Sequence, residues 1–184
     1  MTLFNKIFSA IILTSTVMSP AAKGEDILAP KIIEKLEGFT VIGVSVRTNN
    51  AKEQTPDGQI GKTWQRLSQE KFLDKISGKA DQNIIAVYTD YASDKDGDYT
   101  FTLGAKVASD KEIPSGMVTV KIPAGRYARF TTEKGQAYKV VPDTWKRIWN
   151  NSGGERTYKS DFEVYDQRAA DPEKSQVDVY VGIK

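Results

Sequence analysis

Ile60-Gly61-Lys62-Thr63-Trp64-Gln65-Arg66-Leu67 reads against Val141-Pro142-Asp143-Thr144-Trp145-Lys146-Arg147-Ile148. Roughly twenty residues after each Trp a second match follows, Ala86-Val87-Tyr88 against Glu163-Val164-Tyr165. A third closes each copy, Leu103-Gly104-Ala105-Lys106 against Val181-Gly182-Ile183-Lys184. Three matches in one order are the mark of a duplicated supersecondary unit. The copies differ where Ala86 of the first is replaced by the carboxylate Glu163 in the second.

Working outward, residues 59–76 place Ile60, Trp64, Leu67, Phe72, Leu73 and Ile76 at largely helical spacing. The second copy repeats this over 137–150, and Asn151-Ser152-Gly153-Gly154 is a stop signal. β-branched and alternating runs predict strands at 32–36, 39–46, 83–91, 99–107, 117–122, 126–132, 161–166 and 177–183. Pro123-Ala124-Gly125 reads as a turn pairing a leading strand with its successor. The expected fold is α+β. Two strand-helix-strand-strand units form one antiparallel sheet with two helices on one face. The opposite face is expected to curve round a ligand groove at the pseudo-twofold axis. The first unit spans about 31–110 and the second about 116–184.

The chain has 184 residues, no cysteine and no histidine. That excludes thiol nucleophiles, Ser-His-Asp triads and the usual zinc ligand sets. Net charge is +2 with the two signs well mixed, so no nucleic-acid footprint is read. No cofactor is expected. The Asp90, Asp94, Asp96 and Asp98 run superficially resembles a calcium loop. Lys95 lies inside it and no Glu closes it, so a hairpin turn is expected and no metal site. Residues 1–22 read as a signal peptide: Lys6, an apolar stretch from Ile7 to Met18, then Ser19-Pro20-Ala21. A short leader follows at 23–30. The expected location is periplasmic or secreted, with no membrane contact after cleavage. Oligomeric state is not read from the sequence, and a monomer is the default.

Strand side chains alternate between faces. In Asp161-Phe162-Glu163-Val164-Tyr165, Phe162 and Val164 share one face, expected to pack on the helices. Glu163 and Tyr165 share the other, expected to face the groove with Ala86 and Tyr88 of the first copy. The ordinary alternative is an exposed strand Glu beside an exposed Tyr. Trp64 and Trp145 are candidate pocket walls, or plain helix-sheet core, and Trp149 lies one turn further on. Tyrosines and tryptophans around one carboxylate suit a lipophilic cation, because aromatic faces and a carboxylate both attract positive charge.

The order Ile122-Pro123-Ala124-Gly125-Arg126-Tyr127-Ala128-Arg129-Phe130, then Thr144-Trp145-Lys146-Arg147-Ile148-Trp149, then Asp161-Phe162-Glu163-Val164-Tyr165 resembles the gyrase-inhibitor-like (GyrI-like) small-molecule-binding domain. That module is also the effector-binding domain of AraC-type and MerR-type multidrug regulators. The resemblance covers roughly residues 31–184 and implies the tandem fold. It also implies that Glu163 and Tyr165 line a ligand pocket with Trp145 as the helix aromatic. The family includes hydrolases of cyclopropane-bearing genotoxins, so three readings stand open. The first is an exported stand-alone binding domain for an amphipathic, cationic or aromatic ligand. The second is a hydrolase using Glu163, and the third a protein-inhibitor or interaction module.

Overall fold

A computed structural model describes residues 30–151 and 155–184. The expected signal peptide, most of the leader and the Ser152-Gly153-Gly154 stop lie outside the described residues. The strands are β1 (Lys31–Leu36), β2 (Phe39–Thr48), β3 (Ile84–Thr89), β4 (Tyr99–Val107), β5 (Val118–Ile122), β6 (Gly125–Thr131), β7 (Arg156–Tyr165) and β8 (Asp178–Ile183). The helices are α1 (Asn50–Glu53), α2 (Ile60–Glu70) and α3 (Ala137–Asn151). The expected long first helix stops early: Lys71 takes a left-handed conformation, and a short 3-10 turn carries Phe72–Lys75. α1 falls in a stretch read from sequence as turns. Its Glu53 carboxylate accepts from the Gln59 and Ile60 amides and so caps α2.

All eight strands form one antiparallel sheet in the order β1-β6-β8-β7-β3-β4-β2-β5. Exchanging each strand for its counterpart in the other copy reverses this order onto itself, so the pseudo-twofold passes between β3 and β7. There Ala86 pairs directly with Glu163. The two positions at which the copies disagree face each other across the axis.

The leading strands do not pair with their successors, as the turn chemistry predicted. β1 pairs with β6, and β5 with β2. Each leading strand is thus exchanged into the other half. Two-residue links, Glu37-Gly38 and Pro123-Ala124, join one end of the sheet to the other and force it to curl. The links cross in contact: a Cβ at Gly38 would lie 2.9 Å from the Ile122 carbonyl oxygen and 3.0 Å from the Ala124 nitrogen. Only glycine fits there. Inside the curl, Phe162 of β7 meets Phe39 of β2 edge-on at 5.2 Å and stacks on Tyr180 at 4.6 Å. Val41, Ile85, Val87, Ile122 and Tyr127 complete that core.

The helices cover the other face. Val141, Trp145 and Ile148 of α3 fall on one stripe, matching Ile60, Trp64 and Leu67 of α2. They pack on Ala86, Tyr88, Leu103, Val179 and Val181. This corrects the expected placement. Phe162 and Val164 belong to the inner curl, and Glu163, Tyr165, Ala86 and Tyr88 lie on the helix-bearing face.

Candidate functional site

Glu163 is 1 % exposed and sits at the centre of the helix-bearing face. Ala86 opposite it is small enough to leave room for the carboxylate. Its neighbours come from all parts of the duplicated unit. The Tyr88 hydroxyl donates to Oε1 at 2.8 Å, and the Tyr165 hydroxyl donates to Oε2 at 2.7 Å. The indole N–H of Trp145, on α3, donates to Oε1 at 2.5 Å. The tandem tyrosines thus reach the same carboxylate from either side of the axis.

The helix aromatics complete the enclosure. Trp145 meets Tyr88 edge-on at 5.2 Å, and Trp64 meets Tyr165 edge-on at 4.7 Å. Both tryptophans are 7 % exposed. Trp149 is half-buried, with its ring 6.2 Å from that of Trp145. All six residues expected from sequence converge. What differs is the shape of the site. At the axis Tyr88, Tyr165 and Trp145 themselves fill the space round the carboxylate, and the opposite face, where the groove was expected, holds the Phe162 core. A surface groove of about 400 Å³ lies elsewhere, bordered by Thr89, Asp90, Thr119, Lys121 and Lys159.

Burial pushes the Glu163 carboxyl above the usual carboxylate range, opposed by the hydrogen bonds from Trp145, Tyr165 and Tyr88. Burial, then the Glu163 charge, holds Tyr88 and Tyr165 far above the usual phenol range, so both stay protonated donors. Among the described residues no lysine or arginine acts on Glu163; its three partners are neutral. A buried carboxylate without a counter-ion is costly.

Sequence reasoning missed a second buried charge on this face. Asp161 is wholly buried and ion-paired with Arg156, and it also accepts from the Tyr91 hydroxyl at 2.7 Å and the Gly182 amide at 2.9 Å. The signal was present as Arg156-Thr157-Tyr158-Lys159-Ser160-Asp161, a charged run inside a strand. Its irregular register hid the pairing: Tyr158 has φ 50° and the β7–β8 ladder shifts between Arg156 and Asp161.

With fold and site in view, comparison with known proteins places the chain. YobU of Bacillus subtilis strain 168, a protein named as a transcriptional regulator, is 38% identical over 144 residues, covering 77% of this chain and 90% of that one. The integron cassette protein VCH_CASS2 of Vibrio cholerae superposes with a TM-score of 0.68 at 26% identity, covering 85% of this chain and 97% of its own. SAV2435, solved bound to tetraphenylphosphonium, shares the fold with a TM-score of 0.68 at 16% identity, over 85% of this chain and 94% of its own. The GyrI-like resemblance and the α+β fold expected from sequence hold. The family model for Cass2, integron-associated effector binding protein, matches residues 32–183, and the chain belongs to that effector-binding family.

Proposed function

We propose that this chain is an exported effector-binding domain for an amphipathic cation carrying aromatic or other apolar groups. Glu163 is its charge partner, and Tyr88, Tyr165, Trp64, Trp145 and Trp149 are the walls that part to admit it. One observation carries the reading: Glu163 is buried at the pseudo-twofold axis among aromatic donors and, among the described residues, has no cationic partner. A cation about 4 Å from a carboxylate gains ~4 kcal/mol at an effective dielectric of 20, and each aromatic face adds about 0.5–2 kcal/mol. Binding of tetraphenylphosphonium by SAV2435, which shares the fold, supports this ligand class. Export rests on Lys6, the apolar run 7–18 and the small residues at 19–21.

A thermal-shift screen of the mature chain tests the reading. Tetraphenylphosphonium and other lipophilic cations raise the melting temperature with concentration, and neutral counterparts such as triphenylphosphine oxide do so far less. Equal shifts from both would sink the cation reading. Mass spectrometry of the recovered ligand separates binding from hydrolysis: the ligand returns unchanged. Fractionation of expressing cells tests export by finding the chain outside the cytoplasm, shortened at its N-terminus.

A further inference from the structure

Arg156 is 6 % exposed and lies on the same side of the molecule as Glu163. Its guanidinium pairs with Asp161 through Nη2, while Nε and Nη1 are buried with no hydrogen-bond acceptor among the described residues. Asp161 is already occupied by the Tyr91 hydroxyl and the Gly182 amide, so it has little left to offer them. The guanidinium lies over Tyr158 at 4.3 Å and against the Trp145 ring at 5.8 Å. Those aromatic faces hold it in place and leave its N–H edge unanswered. Buried N–H groups of an arginine almost always find an acceptor, and two orphans on one side chain call for one.

Trp145 connects the two poles. Its indole N–H holds Glu163, and its ring backs Arg156. A ligand that displaces this one side chain to reach Glu163 also takes away a ring that backs Arg156. The poles are close: Asp161 and Glu163 are two residues apart on β7, so their Cα atoms lie about 7 Å apart at ~3.3 Å per residue.

From this geometry we infer that Arg156 is the second pole of the effector site and takes a carboxylate or similar oxygen acceptor. The natural effector class is then a zwitterionic amphiphile, with its cationic group at Glu163 and its acidic group at Arg156. This rests on the cation reading and narrows it. The unpartnered Nε and Nη1 of the guanidinium offer charge-assisted hydrogen bonds to an oxygen acceptor that a simple cation leaves unused.

The test uses calorimetric titration of the mature chain with (4-carboxybutyl)triphenylphosphonium and with its methyl ester. These share the cationic head and differ in the acidic tail. The acid binds about tenfold tighter than the ester, the gain of a charge-assisted contact. The double variant Arg156→Met/Asp161→Asn removes both buried charges together, so that neither is stranded. It keeps the ester affinity and loses the preference for the acid. Equal binding of acid and ester by the wild type overturns the Arg156 pole and leaves the cation reading standing. A preference that survives in the double variant also overturns it. Failure of both ligands to bind overturns the cation reading and this inference with it. If the double variant does not fold, the wild-type comparison decides alone.

Discussion

Glu163→Gln tests what the buried charge does to the protein without ligand. The glutamine Oε1 accepts from Trp145 and Tyr88 as the carboxylate does, and its amide N–H donates to the Tyr165 hydroxyl oxygen, which reverses its role. All three partners are retained and only the charge is lost. Replacing even a buried ion pair by neutral groups of similar volume is often neutral or stabilising by about 1–4 kcal/mol. One carboxylate with three good donors belongs at the low end, about 1 kcal/mol, or ~2–4 °C in melting temperature for a domain of this size. The sign follows from the Glu163 carboxyl being raised in the fold. Below the unfolded carboxylate range the group is protonated in both states and carries no penalty. As pH climbs through the raised folded value, the native state must release a proton it holds better than the unfolded chain, and wild-type stability falls. The glutamine variant is therefore the more stable near pH 8, and the gap closes toward pH 4. Urea denaturation of both proteins from pH 4 to 8.5 measures this. A variant weaker than wild type by about 2 kcal/mol at pH 8 would refute the reasoning, because the charge would then be a net structural asset.

Cation affinity moves the opposite way with pH. Tetraphenylphosphonium needs the ionised carboxylate, so its affinity rises as pH passes the folded Glu163 value and levels off above it; titrations at five pH values read this directly. Trp145→Phe deletes the indole donor to Oε1 and costs about 1–3 kcal/mol in chemical denaturation, and it raises the Glu163 carboxyl further. Gly104→Ala strikes the fold far from ligand. Its Cβ would lie 2.0 Å from the Ile42 carbonyl oxygen, where Gly43 and Gly104 face each other across β2 and β4, so about 3 kcal/mol is lost in thermal unfolding.

The internal repeat made the architecture legible, because a unit that cannot bury its own sheet face must be completed by its copy. Strand parity also put Glu163, Tyr165, Ala86 and Tyr88 together. It assigned them to the wrong face because both faces of the central strands are covered. β3 is buried at five of its six positions. A strand apolar on both sides carries no mark of which side the helices take. The helices did carry one: Trp64 and Trp145 repeat at the same helical position, and a buried indole N–H needs an acceptor, which Glu163 supplies. The exchange of β1 and β5 was not legible. A two-residue link between strands looks like a hairpin locally, and only the distant pairing with β6 and β2 shows otherwise. Arg156 was hidden by the shifted register before Asp161.

The central claim is that one uncompensated carboxylate at the axis selects cations. Isothermal titration of tetraphenylphosphonium and of triphenylphosphine oxide into the wild type and Glu163→Gln measures it most directly. The cation should lose about 30- to 1,000-fold in affinity, corresponding to ~2–4 kcal/mol of charge attraction, while the neutral ligand is unchanged. Equal cation affinity in the two proteins, or an equal loss for both ligands, would contradict the account.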